Sequence, residues 1–329
     1  MLIKLNSNNG MKPIILIDKP FPPAHQAWLA DHATIFLAST AKQAELNTVQ
    51  GLFWYGHDLI SSSLLNSTPN LLAVSNFGAG YEHIDVPECI SRRLQVGHTP
   101  DCLSECVADY AFAMLLASAR DVVEGVKRCE HPSFTQFNAN DLGKQVSGAT
   151  IGIVGMGSIG SQVARRANFG FGMTVLYHNR NQKSPEAEAS CGNATFSPSL
   201  QDLLSKSDFV VLTAPVTPET TNLMSAAQFA AMKPDSILIN IGRGLLVDTP
   251  ALVAALHKFP SMRCVLDVTE PEPLPRDHIL VKPQGTPLEG RVIITPHAGS
   301  ATSETRLDML KMAFDNLLAG INGKRMVSE

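Results

Sequence analysis

The chain has 329 residues, 44% of them hydrophobic and 17% charged, with a formal net charge of −4. That balance leaves no electrostatic footprint for nucleic acid, and no apolar run approaches the 18 or so residues of a membrane span. It fits a soluble globular protein of about two domains with a small-molecule partner.

The N-terminal MLIKLNSNNGMKP lacks the apolar core and cleavage site of a signal peptide, so the cytoplasm is the expected compartment. Six cysteines scattered without CxxC spacing fit reduced intracellular thiols. Short apolar runs then alternate with helical patterns from end to end, which predicts βα units on parallel sheets. The first expected strands are IILID (14–18), TIFLA (34–38), GLFWYG (51–56), LLAVSNFG (71–78) and LQVGHT (94–99).

A long helix is expected after Thr99-Pro100, capped by Asp101 or Ser104. Its sequence, LSECVADYAFAMLLASAR, is apolar on more than one face, which predicts burial between domains or against a second subunit. Cys102 and Cys106 fall four apart on this helix with His98 a turn earlier; packing, not a metal, is the expected reason. The polar stretch HPSFTQFNANDLGKQVSG reads as a connector.

A second series follows: TIGIVG (150–155), MTVLYH (173–178), DFVVLTAP (208–215), SILINIG (236–242), RCVLDV (263–268) and VIITP (292–296). The final helix, 301–321, comes after that sheet is complete and is expected to return to the first domain. The predicted architecture is α/β with two doubly wound parallel sheets. A Rossmann coenzyme domain, 106–298, is inserted in a flavodoxin-like substrate domain split into 1–105 and 299–329.

GIVGMGSIG places Gly155, Gly157 and Gly160 directly after a strand, with Ser158 and Ile159 opening the next helix. Gly155 permits the tight turn, Gly157 lets backbone approach a pyrophosphate, and Gly160 allows close helix–strand packing. The phosphates would meet unsatisfied amides at the helix N-terminus. At the end of the next strand, where an acid would bind the ribose 2′-hydroxyl of NAD, the chain has YHNRNQ. An acid there would repel the 2′-phosphate of NADP by about 4 kcal/mol at 4 Å and an effective dielectric of 20. Asn179 and Arg180 remove that repulsion and supply a planar donor fork, so NADPH is expected over NADH, with Arg180 on the 2′-phosphate and Asn179 or His178 assisting.

Ligands of open α/β sheets bind beyond the carboxyl ends of the strands. Three such ends offer Arg243 (INIGRG), Asp267, Glu270 and Glu272 (DVTEPEP), and His297 (TPHAGSAT). These are the parts for reducing a carbonyl: an arginine to polarise it, a histidine to deliver a proton, and a glutamate to orient the imidazole and favour its charged form.

From about residue 50 onward, TPDCLSECVADYAFAMLLASAR, GIVGMGSIG, INIGRGLLVDTPALVAAL, LDVTEPEPLP and ITPHAGSAT together resemble the D-isomer-specific 2-hydroxyacid dehydrogenases, nearest the glyoxylate/hydroxypyruvate reductase branch. The resemblance implies Arg243, Glu272 and His297 as the catalytic set. It selects Glu272 over Glu270, which chemistry alone does not. It implies Ala79 and Gly80 of SNFGAGYEHID as backbone donors to the substrate carboxylate, with His83 structural. Around the cofactor it implies Thr99, Val107, Pro215, Thr220, Ile241, His297 and, near the nicotinamide carboxamide, Asp267.

In the aromatic run Phe53, Trp54, Tyr55, strand alternation permits either core packing or pocket lining, and Trp54 is the expected substrate contact. The implied reaction is NADPH-dependent reduction of a small 2-keto acid to the D-2-hydroxy acid by a homodimer, with two domains closing over substrate about hinges near residues 100 and 298. Animal enzymes of this branch have a tryptophan in the connector; Phe134 and Phe137 stand there instead, so that contact is not carried over. A D-2-hydroxyacid dehydrogenase for bulkier substrates, formate dehydrogenase, phosphoglycerate dehydrogenase and a nucleotide-sensing corepressor are the rivals. TPH argues against the formate enzyme, the short C-terminus against the phosphoglycerate enzyme, and the intact Arg–Glu–His set against the corepressor.

Overall fold

Every strand pairs with its neighbours in parallel, the arrangement that alternating apolar runs and helices predict. The computed structural model describes residues 12–136 and 142–328, so Phe137 lies outside the described residues. Strands β1 (Ile14–Ile17), β2 (Thr34–Leu37), β3 (Gly51–Trp54), β4 (Ala73–Asn76) and β5 (Gln95–Gly97) form a sheet ordered β2-β1-β3-β4-β5, the flavodoxin-like order. Strands β6 (Thr150–Val154), β7 (Thr174–His178), β8 (Thr195–Phe196), β9 (Phe209–Leu212), β10 (Ile237–Asn240), β11 (Arg263–Leu266) and β12 (Val292–Ile294) form the second, ordered β12-β11-β10-β9-β6-β7-β8. That is the Rossmann order with one added edge strand. Strands β3, β4, β9 and β10 are buried at every position, as parallel strands covered on both faces must be. Only β8 was unexpected, because two residues are too few to show a period.

The chain divides into two compact units, Met1–Leu103 with Thr302–Glu329, and Ser104–Ala301. In the first, the helix Ser303–Ile321 packs on β3, β4 and β5. Small residues make the approach possible: a Cβ added at Gly51 would come within 2.9 Å of Leu317, and one at Gly320 within 2.6 Å of Ala73. Ser75 donates to the Ala313 carbonyl at 2.7 Å and Asn316 to the His98 carbonyl at 2.9 Å, fastening the helix to the sheet.

In the second unit, the helix Ser104–Ala119 packs against the helix Ser158–Arg165 and strands β10 and β11. It buries Val107, Ala108, Ala111, Phe112 and Leu115, while Glu105, Asp109 and Ala113 stay exposed. Ala113 reads as apolar in the sequence without requiring burial. Ser104 is the first helical residue, with a buried and unpartnered hydroxyl, not a cap. Asp101, at φ +62°, and Cys102 belong to the turn before the helix, so Cys102 and Cys106 do not share a helical face. Among the described residues no helix is long and apolar enough to cross a membrane, and no His, Cys, Asp and Glu cluster could hold a metal.

Candidate active site

The glycine turn has the shape its sequence predicts. Gly155 sits at φ +99°, and a Cβ there would come within 2.5 Å of the Ala214 amide. A Cβ on Gly160 would collide with the Gly155 carbonyl, so this glycine sets how closely helix meets strand, whereas Gly157 faces open space. Gly157 and Ser158 are exposed and Ile159 half-buried at the start of the helix Ser158–Arg165. This cradle fits a dinucleotide pyrophosphate: open backbone at 157, a helix N-terminus behind it, and no side chain in the way.

Beyond β7, the Asn179 Oδ1 accepts the Met156 amide at 2.7 Å, tying the strand end to the glycine turn. Asn179 thus braces the turn with its carbonyl and keeps its NH2 for a ligand. His178 Nδ1 instead bonds the Ser197 carbonyl at 2.9 Å. Arg180 is exposed. Its loop is clamped from behind by buried Tyr177, whose hydroxyl donates to Glu188 at 2.7 Å and accepts the Lys183 amide at 2.8 Å. Burial and Glu188 push that phenol up to about 12.

Glu219, in the loop after β9, is a residue the sequence did not single out. Its carboxyl is held below the usual range by the Thr217 hydroxyl, its own amide and Arg180. Thr220 closes this same loop, donating to the Pro215 carbonyl at 2.8 Å and accepting the Thr217 amide at 2.7 Å. Its hydroxyl therefore braces the turn. Val107 and Ile241 are buried at 6% exposure, as walls rather than donors.

The arginine, glutamate and histidine sit on loops after β10, β11 and β12. Fully buried Asn240 donates to the Arg243 carbonyl at 2.8 Å and accepts the Gly242 amide at 3.1 Å, fixing the turn from which half-buried Arg243 projects. Gly244 lies flat against the next loop: a Cβ there would overlap the Thr269 carbonyl oxygen. His297 Nδ1 meets Glu272 Oε1 at 2.7 Å, with side chains 30% and 37% exposed. Glu272, not exposed Glu270, is the histidine's partner. Nδ1 is therefore the ring nitrogen held by the carboxylate, and Nε2 is the other.

Asp267 explains how the histidine is held. Only 3% exposed, its carboxylate accepts the Thr295 hydroxyl at 2.7 Å and the Ala298 and Gly299 amides at 2.8 and 2.9 Å. Its carbonyl accepts the His297 amide at 2.9 Å, and His297 itself adopts φ +53°. Tyr110, which no sequence motif singles out, adds a hydrogen bond to Thr295, and burial raises its phenol.

The first unit carries the remaining candidates. Trp54 is a correction: it is 4% exposed, packs in the core with Leu16, Val49, Leu52 and Ile60, and donates its indole N–H to the Asp58 carbonyl at 2.9 Å. β3 is covered on both faces, so alternation along it cannot bring Trp54 to a pocket. Tyr55, one residue past the strand, is the half-buried member, its ring 4.7 Å from Phe21 and 5.1 Å from Phe77. Ala79 and Gly80 are half-buried after β4, and among the described residues nothing accepts their amides. Thr99 is fully buried; its amide bonds the Gly78 carbonyl at 2.9 Å and its hydroxyl has no partner. His83, 8% exposed, bonds Asn76.

Residues 112–299 match the model of the D-isomer specific 2-hydroxyacid dehydrogenase NAD binding domain. Glyoxylate/hydroxypyruvate reductase B of Escherichia fergusonii is 40% identical over 321 residues, spanning 95% of this chain and 96% of that one. The Klebsiella pneumoniae protein of the same name is 39% identical with the same coverage. Among solved structures, 2-hydroxyacid dehydrogenase from Ketogulonicigenium vulgare superposes with TM-score 0.84 at 30% identity, covering 97% of this chain and 98% of that one. An NADPH-dependent glyoxylate/hydroxypyruvate reductase from Sinorhizobium meliloti, in complex with NADP and malonate, gives 0.82 at 28% identity with 96% of each chain covered. The two parallel sheets accord with these matches, and the chain belongs to the D-isomer specific 2-hydroxyacid dehydrogenase family.

Proposed function

We propose that this protein reduces a small 2-keto acid of the glyoxylate or hydroxypyruvate class to its D-2-hydroxy acid, using NADPH in the cytoplasm. The observation that carries the reading is the 2.7 Å Glu272–His297 pair beside the Arg243 turn. Glu272 fixes the imidazole through Nδ1, so Nε2 is the atom that delivers a proton to the carbonyl oxygen. Arg243 polarises that carbonyl. The amides of Ala79 and Gly80 receive the carboxylate. When bound, the nicotinamide supplies the hydride; the buried Asp267 holds the histidine loop and has one acceptor position left for the carboxamide.

NADPH is favoured over NADH because Arg180 stands exposed on a clamped loop, with the Asn179 NH2 beside it and no acid at the strand end. The Sinorhizobium meliloti relative, solved with NADP, supports this choice. Turnover measured on glyoxylate, hydroxypyruvate and bulkier 2-keto acids with both cofactors tests the reading. The smaller acids and NADPH should give the higher kcat/KM, and Arg180→Asp should cut the NADPH/NADH preference by about tenfold to a hundredfold. No turnover with any keto acid sinks the activity. Equal values with both cofactors, or an unchanged ratio in the variant, sinks the NADPH assignment.

The same reading includes a homodimer. The helix Val122–Glu130 buries none of its residues, and Val122 and Val126 are 51% and 55% exposed, with Phe134 at 44% beyond its end. Exposed valines one helical turn apart favour an interface on this helix. Light scattering should return about twice the 35.4 kDa chain mass, and Val126→Lys should return one. A wild-type monomer at micromolar concentration would remove the dimer from the proposal.

A further inference from the structure

The turn after β4 owes its shape to one buried side chain. Asn76, the last residue of that strand, is 2% exposed. Its Nδ2 donates to the Gly80 carbonyl at 2.7 Å and to the Gly78 carbonyl at 3.1 Å. Carbonyls can only accept, so these two partners fix which end of the amide is nitrogen, and Oδ1 is left to accept His83 Nε2–H at 3.0 Å. The intervening Ala79 carbonyl accepts His98 Nδ1 at 2.9 Å, and the Gly78 carbonyl also takes the Thr99 amide. Three successive carbonyls are thus drawn into the unit.

A trans peptide is planar, and its N–H points opposite to its C=O. With the carbonyls of 78, 79 and 80 held inward, the amides of Ala79, Gly80 and Tyr81 face the other way. Among the described residues, none of these three amides has an acceptor. Successive outward amides form a concave donor set suited to an anionic oxygen pair.

We infer that Asn76 is a positioning residue for the substrate carboxylate, holding the Ala79, Gly80 and Tyr81 amides as one donor set, with His98 as the second support. The inference rests on the reading of this loop as the carboxylate site, and it adds the Tyr81 amide and the side chain that creates the arrangement. Nothing about Asn76 touches a reactant; its effect passes through the peptide planes.

Asn76→Asp is the discriminating variant. It keeps the volume and the acceptor for His83 but can donate to neither carbonyl. It should raise KM for glyoxylate by about tenfold to a hundredfold and weaken inhibition by oxamate in parallel, with kcat changing by less than about threefold. NADPH affinity, read by fluorescence titration, should stay near wild type. His98→Leu should move KM and the oxamate constant in the same direction by a smaller factor, which keeps the test open if the Asn76→Asp chain does not fold.

Glyoxal, which lacks a carboxylate, separates the two ideas. A variant penalty on glyoxylate that is absent for glyoxal supports the inference. An equal penalty on both, or KM and oxamate inhibition within about twofold of wild type, overturns it. Wild-type enzyme that reduces glyoxal as efficiently as glyoxylate would instead overturn carboxylate recognition itself, and the inference with it.

Discussion

His297→Asn is expected to lower kcat for keto-acid reduction by about 10²- to 10⁴-fold while NADPH binding persists, the range that loss of a positioned general acid produces. Asparagine is the informative replacement because His297 occupies φ +53°, a left-handed conformation that asparagine tolerates well. The loop's main bonds run through the His297 amide and the Asp267 carboxylate, so they survive the change. Lost activity would then report the imidazole and not a collapsed loop. Glu272→Gln offers a graded companion: it keeps an oxygen for Nδ1–H but not the negative charge, so its kcat should fall between wild type and His297→Asn. Stopped-flow reduction of glyoxylate gives both values, and a His297→Asn enzyme with near-normal kcat would remove this proton route.

The second large effect falls on Arg243. Arg243→Ala should cut kcat by about 10²- to 10³-fold, as loss of a preorganised donor to a developing oxyanion does. Arg243→Lys should recover only part, since an ammonium restores charge but not the planar two-point fork. Asn240 holds the backbone here and the guanidinium adds a hydrogen bond to the Gly242 carbonyl at 2.8 Å, so Tm should fall only modestly. If the lysine variant equals wild type in both kcat and KM, charge alone suffices and paired contacts to the substrate are not required. If the alanine variant does, Arg243 has no part in the chemistry.

Much of this fold is legible in the sequence. Strands buried on both faces leave unbroken apolar runs, and the glycine turn announces itself because Gly155 needs a positive φ and Gly160 a close approach. Polar residues at strand ends point to Arg243 and His297 for the same reason. Chemistry could not choose between Glu270 and Glu272, two residues apart in one loop, because that depends on which way the loop turns. Trp54 and Tyr55 could not be told apart because alternation assigns faces but not whether a face is covered. Asn76, Asn240 and Tyr110 carry no such signal: their meaning lies in loop carbonyls or hydroxyls that sequence spacing does not bring together. A buried asparagine as the last residue of a strand, followed by a glycine within two positions, is the pattern that could have found the first two.

Gly244 gives the arginine and glutamate loops a shared fate. Because its missing side chain lets the two backbones touch, the approach of the loop after β10 to the loop after β11 is limited by the main chain itself and leaves no room for a side chain between them. Descendants of this sequence can exchange the surrounding side chains and so change which keto acid fits. The close seating of the two loops is inherited through the absence of a single methyl.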